Sequence, residues 1–108
     1  MQDVFVDLYK TILHRKNNPK EGSYTCYLFD KGLDKILKKC GEECAETIIA
    51  AKNGLKQDTV SEISDLFYHT LILMAYQGIT PADIVEEFEK RSRKTGNLKE
   101  SRAVDKNS

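Results

Sequence analysis

Apolar residues recur at three- and four-residue spacings along nearly the whole chain, and nowhere does an alternating, strand-like pattern compete. A chain patterned in this way can bury its apolar side chains only by packing helix on helix. Phe5, Leu8, Tyr9, Ile12 and Leu13 mark a first amphipathic helix over about residues 2–16. The turn formers Asn17 to Gly22 make a loop, and Ser23 caps a short turn through Tyr24–Phe29. A second helix is predicted from about Lys31 to Asn53, ended by Gly54, and a third from Asp58 or Thr59 to Gln77, stopped by Gly78. Thr80-Pro81-Ala82-Asp83 then opens a fourth, which carries Ile84, Val85, Phe88 and Arg91 and ends near Lys94 to Gly96. Residues from about 97 to 108 lack periodicity and read as a mobile tail. Short connections imply antiparallel neighbours. The expected architecture is one all-α domain over residues 1–108, an antiparallel bundle of about four helices. With 108 residues the core is modest, so dimerisation through exposed apolar surface is expected.

Composition narrows the class. Hydrophobic content of 40% and charged content of 31% fit a globular chain rather than a disordered one. No apolar run approaches the roughly 18–20 residues of a membrane span. The opening MQDVFVDLYK is acidic and amphipathic, unlike a signal or transit peptide, which points to the cytoplasm. Cys26, Cys40 and Cys44 form no CxxC pair; Cys40 and Cys44, four apart on one helical face, read as small core residues. No second Cys or His cluster exists to complete a zinc site. Net charge is zero but uneven: Lys31, Lys35, Lys38 and Lys39 precede a run of glutamates, and Lys90, Arg91, Arg93, Lys94, Lys99, Arg102 and Lys106 dominate the C-terminal end. Two basic clusters around an acidic centre suit a polyanion held around a cation; solvated helix faces are the plainer alternative.

The acids are arranged in a way that favours the cation. On the second helix Leu33, Ile36, Leu37, Cys40, Cys44, Ile48 and Ala51 spread over a broad apolar face. Lys35, Lys39, Glu42, Glu46 and Asn53 form a polar stripe opposite, with Glu43 on its flank. On the third, Glu62, Asp65, His69 and Tyr76 share a sector of about 60°, while Ile63, Phe67, Leu71 and Met74 occupy much of the rest. A helix apolar nearly all round is expected to be buried, where unpaired ions are costly. Glu43 and Glu46 are three apart, and so are Glu62 and Asp65, close enough in each pair to share an ion. All-oxygen ligation suits a hard ion, Mg²⁺ or Mn²⁺. Individual acids have simpler accounts. Thr59-x-x-Glu62 reads as a capping box, and Glu42 or Glu46 alone as surface charge. His69 is either a metal ligand or a hydrogen-bonded core histidine, the second being the more ordinary role. His14 reads as a surface residue that offsets the first helix's dipole. Gly41 leaves space either for substrate or for close helix packing.

Taken together, Glu42-Glu43-x-x-Glu46 and Glu62-x-x-Asp65 resemble the EExxE…ExxD signature of the all-α, MazG-like nucleoside triphosphate pyrophosphatases. The flanking words SYTCYLFDKGLDKILKKCGEECAETIIAAKNG and EISDLFYHTLILMAYQGITPADIVEEFEKR are similar to the phosphoribosyl-ATP pyrophosphatase family, from about Leu8 to Arg102. Cys40 and Cys44 stand where that family leads one to expect valine and alanine, and Thr95-Gly96 where Ser-Gly is common. The resemblance implies Mg²⁺-dependent hydrolysis of phosphoribosyl-ATP to phosphoribosyl-AMP and pyrophosphate, the second step of histidine biosynthesis, by a helical homodimer. It implies metal binding at Glu43, Glu46, Glu62 and Asp65; Glu42 matches the first acid of the signature, as a water-orienting carboxylate or a support for the ligands. The phosphate chemistry also needs cations, for which Lys31, Lys35, Lys39 and Lys52 are placed at the leaving pyrophosphate. Arg91, Arg93 and Lys94 are candidates to close over the phosphoribosyl end. Three rivals stand beside this reading. A house-cleaning enzyme for free nucleotides would use the same acids. A di-iron bundle would favour Glu-x-x-His pairs, and neither His14 nor His69 has a glutamate three residues before it. A nucleic-acid module would need a binding motif and a domain-wide positive charge that the chain lacks, so no nucleic-acid or membrane partner is expected.

Overall fold

A computed structural model describes residues 3–94 and shows five helices, with no strand among the described residues. They are α1 (Val4–Asn17), α2 (Tyr24–Lys31), α3 (Leu33–Asn53), α4 (Lys56–Gln77) and α5 (Pro81–Arg93). The end of the last helix near Gly96 and the tail over 97–108 lie outside the described residues. The all-α architecture agrees with the periodicity; the helix count rises by one because the expected turn after Ser23 is an eight-residue helix.

Side-chain caps set three of the starts. The Asp3 carboxylate accepts the Val6 N–H, the Ser23 hydroxyl accepts the Cys26 N–H, and Thr80 and Asp83 form a reciprocal capping box behind Pro81. Gly32 separates α2 from α3 by taking φ +92°, a conformation that side chains rarely adopt. This moves the start of the long helix from Lys31 to Leu33 and leaves Lys31 on α2. α4 begins at Lys56, two or three residues earlier than expected, with no side-chain cap. Thr59 sits inside it and donates its hydroxyl to the Leu55 carbonyl at 3.1 Å. The capping-box reading of Thr59 and Glu62 is therefore wrong, and Glu62 is an interior helical residue.

α3 and α4 form an antiparallel hairpin, with Gly54 in the left-handed conformation at the turn. α1 and α2 cover only part of it. The core joins Tyr9 and Ile12 of α1, Leu28 of α2, Ile36 of α3, and Leu71, Ile72, Met74 and Ala75 of α4. Lys16 ties α1 to the end of α4 by donating to the Ala75 carbonyl at 3.0 Å. The other half of the hairpin has no such cover among the described residues: Ile48 is 67% exposed, Ile49 60%, and Leu55, Val60 and Phe67 are exposed as well. The broad face assigned to α3 is thus buried only in part, and Leu37, Cys44, Ile48 and Ala51 face outward. Nor is α4 buried throughout; its burial is confined to the stretch from His69 to Ala75. Periodicity marks which faces are apolar and not which of them another element of the same chain covers. α5 packs on α1 and leaves Val85 and Phe88 exposed. No helix among the described residues is long and apolar enough to cross a membrane.

Candidate active site

The antiparallel pairing of α3 and α4 sets Glu43 level with Asp65 and Glu46 level with Glu62. Carboxylate oxygens of Glu43, Glu62 and Asp65 all lie within 4.8 Å of one another. Glu43 is only 6% exposed, Glu62 is half-buried, and Asp65 opens to solvent. Glu46 is exposed but faces Glu62 closely enough to act on its titration. Burial pushes the Glu62 carboxyl above its ordinary value, and the neighbouring charges of Glu46, Asp65 and Glu43 push in the same direction.

Two oxygens in this group, Glu43 Oε2 and Glu62 Oε1, are buried without a hydrogen-bond partner among the described residues. A buried, unpartnered carboxylate oxygen is costly, and two of them facing a third acid create a strong demand for positive charge. Lys39 meets part of it from one side. Its ammonium lies 3.3 Å from Glu42 and 3.9 Å from Glu43. The hydrogen bond to Glu42 is the main cause of the raised Lys39 pKa. Among the described residues, nothing comparable reaches the orphaned oxygens. The residues present therefore fit a hard divalent cation, with Glu43, Glu62 and Asp65 as the first oxygen donors and Glu46 beside them.

Glu42 stays outside this group, exposed and held by Lys39. Lys35 is half-buried on α3, Lys52 is exposed near the hairpin turn, and the Lys31 ammonium lies 5.7 Å from the Tyr27 ring centroid. Arg91 pairs with Glu87 at 3.0 Å on α5, and Arg93 and Lys94 are exposed at the end of that helix. Within one chain these three are not gathered with the acids. His69 is not among the clustered acids. It is buried and hydrogen-bonded through both ring nitrogens, to the Asp65 carbonyl and the Tyr24 hydroxyl.

Sequence reasoning passed over a cleft of ≈ 260 Å³ on the turn side of the cluster, where Asn53, Asp58 and Ser61 join Glu46 and Glu62. The available signal was spacing: Asp58 lies four residues before Glu62 and so on the same helical face.

An all-α hairpin that gathers several carboxylates defines a class, that of helical proteins able to hold a hard cation. Comparison with known proteins makes the class specific. Residues 5–92 match the family model described as phosphoribosyl-ATP pyrophosphohydrolase. A phosphoribosyl-ATP pyrophosphatase of Clostridium acetobutylicum is 53% identical over 100 residues, covering 93% of this chain and 91% of that protein. One from Bacillus cereus is 49% identical over 105 residues, 97% of this chain and 98% of its own length. One from Streptococcus thermophilus is 50% identical over 97 residues, 90% and 93% respectively. The chain belongs to the phosphoribosyl-ATP pyrophosphohydrolase family, whose members are hydrolases of a pyrophosphate bond.

Proposed function

We propose that this chain hydrolyses phosphoribosyl-ATP to phosphoribosyl-AMP and pyrophosphate, the second step of histidine biosynthesis, as a Mg²⁺-dependent homodimer in the cytoplasm. The observation that carries the metal dependence is the pair of buried, unpartnered oxygens on Glu43 and Glu62, within 4.8 Å of Asp65. The substrate rests on family membership over residues 5–92. Glu43, Glu46, Glu62 and Asp65 hold the ion, with Mn²⁺ as a possible substitute on the same oxygen donors. When bound, the ion supplies charge neutralisation for the phosphates and a lowered pKa for a coordinated water.

The chain's own residues supply the rest. Glu42, exposed and fixed by Lys39, accepts the water proton. Lys39 and Lys35, on the same helix before Glu43, and Lys31 and Lys52 nearby meet the charge of the departing pyrophosphate. Arg91 and Arg93 on α5, and Lys94 at its C-terminal cap, serve the phosphoribosyl end. The dimer is supported by the bare apolar half of the hairpin, with Ile48, Ile49, Val60 and Phe67 exposed in a single chain.

The test is pyrophosphate release with Mg²⁺, offering phosphoribosyl-ATP beside ATP, dCTP and dUTP. Strong preference for phosphoribosyl-ATP is expected. Preference for a free nucleotide would retain the acids and refute the substrate. Asp65→Asn and Glu46→Gln should each abolish turnover, a loss of at least about 100-fold, with unchanged helical circular dichroism. Retained activity in both would refute the metal assignment.

A further inference from the structure

Two short words in the sequence have no part in the acid cluster, Ser23-Tyr24-Thr25 and Tyr68-His69, and the fold brings them together. The first turn of α2 meets the turn of α4 just beyond Asp65. The Tyr24 hydroxyl lies 2.9 Å from His69 Nε2, and the Thr25 hydroxyl is hydrogen-bonded to the Tyr68 hydroxyl. Two adjacent bonds fix both the distance and the rotation between the elements. His69 and Thr25 are buried at 6% exposure, so the bonds are partly shielded from competing water.

The tautomer of His69 follows from its partners. Nδ1 lies 2.7 Å from the Asp65 carbonyl, which can only accept, so Nδ1 carries the proton. Nε2 is left as the acceptor, and Tyr24 donates to it. The ring is thus held over the turn that begins at Asp65, the direction in which a helical side chain leans. The Tyr24 and Tyr68 rings stand edge-on to it, with centroids 5.7 and 5.6 Å away. The Cys40 thiol of α3 lies 3.5 Å from the His69 carbonyl, so three helices meet at this residue. Lys39 and Glu43 lie within electrostatic reach of the Tyr24 hydroxyl. The chain of contacts therefore runs from α2 through His69 to the backbone of one acid and ends beside another.

We propose that Tyr24 and His69 are positioning residues: their hydrogen bond holds the α4 turn at Asp65 and the α2 turn beside Glu43 in the arrangement that binds the metal. The inference rests on the metal-site reading above, and not on the nucleotide chosen as substrate. An apolar replacement of similar shape would preserve packing. What the hydrogen bond adds is a fixed orientation next to the ligands, the kind of support whose loss weakens metal binding.

The experiment uses the full chain and reads Mn²⁺ binding by electron paramagnetic resonance, beside kcat, KM and thermal melting. Tyr24→Phe keeps the ring and removes the donor. His69→Asn keeps a donor for the Asp65 carbonyl and loses the reach to Tyr24; His69→Gln keeps an acceptor at that reach. Tyr24→Phe, His69→Asn and the double variant should share one loss, about 10-fold in Mn²⁺ affinity. They should also lower kcat with KM within about 3-fold, because the defect lies in the arrangement of ligands rather than in substrate contacts. His69→Gln should recover most of the affinity. In the wild type, the ¹⁵N shift of His69 Nε2 should be that of an unprotonated acceptor. Should Tyr24→Phe fail to fold, His69→Asn severs the same bond from the other side and takes its place. Wild-type Mn²⁺ affinity in a folded Tyr24→Phe or His69→Asn variant overturns the proposal, as does additive loss in the double variant. A wild-type chain that binds Mn²⁺ but prefers a free nucleotide refutes only the substrate, because the Mn²⁺ comparison still decides the positioning role. A wild-type chain that binds no Mn²⁺ overturns both the metal site and the clasp.

Discussion

At Glu62 the fold raises the affinity of a carboxyl for its proton. Burial and three neighbouring acids raise its pKa, so the folded chain holds that proton more tightly than the unfolded chain does. Between the ordinary value of 4.5 and the raised one, the native state binds more protons. Stability contributed by this group therefore falls as pH rises through that window and is restored on acidification. In chelator, the melting temperature should decline across this range, and Glu62→Gln should flatten the decline. With Mg²⁺ the slope should reverse, because the cation binds the ionised carboxylates and competes with the proton. A slope unchanged in Glu62→Gln would place its source elsewhere. At this scale the sequence was a partial guide. Three-residue spacing paired Glu43 with Glu46 and Glu62 with Asp65, since that is a property of one helix. The burial of Glu43 was not legible, because it depends on which side of α3 meets α4. A wheel drawn for an isolated helix put Glu43 on a flank. Tyr24 and His69 are 45 residues apart in the chain, and only the fold, which seats α2 on α3 and α1, brings them within hydrogen-bond distance.

Among the elements, α3 carries the clearest local defect. Gly41 lies in its interior, where glycine costs about 1 kcal/mol relative to alanine. A Cβ built there meets nothing within 4 Å among the described residues, so close packing against them does not explain the glycine. Gly41→Ala should therefore raise the unfolding free energy by about 0.5–1 kcal/mol in urea titration. If turnover falls at the same time, the open side of Gly41 belongs to the substrate; if neither changes, the propensity argument fails here. Four of the five helices were legible, α2 being expected only as a short turn, and caps such as Ser23 and Thr80 fixed starts to within a residue. The errors fell where a single backbone angle decides the outcome, at Gly32. They also fell at the uncapped start of α4, where Leu55 offers no sequence signal.

For the whole molecule, the uneven cover of the α3–α4 hairpin is the dominant feature. Ile48, Ile49, Val60 and Phe67 are exposed on one chain, and the proposed dimer, if it buries them, would couple folding to association. The melting temperature should then rise with protein concentration, and sedimentation should show a two-chain species. A concentration-independent transition from a sedimenting monomer would rule this out. The overall helical class followed from periodicity alone, whereas the extent of burial did not, because apolar patterning cannot say whether cover comes from the same chain. The hairpin has one more consequence. Gly54 and Leu55 are the whole connection between α3 and α4, and every carboxylate of the cluster comes from these two helices. Closing so short a link costs little chain entropy, and contacts between sequence neighbours form early. The acids would thus be brought together before α1 and α2 dock, making their mutual repulsion an obstacle on the folding pathway. A cation that relieves it would act first as a folding aid and only afterwards as a reagent.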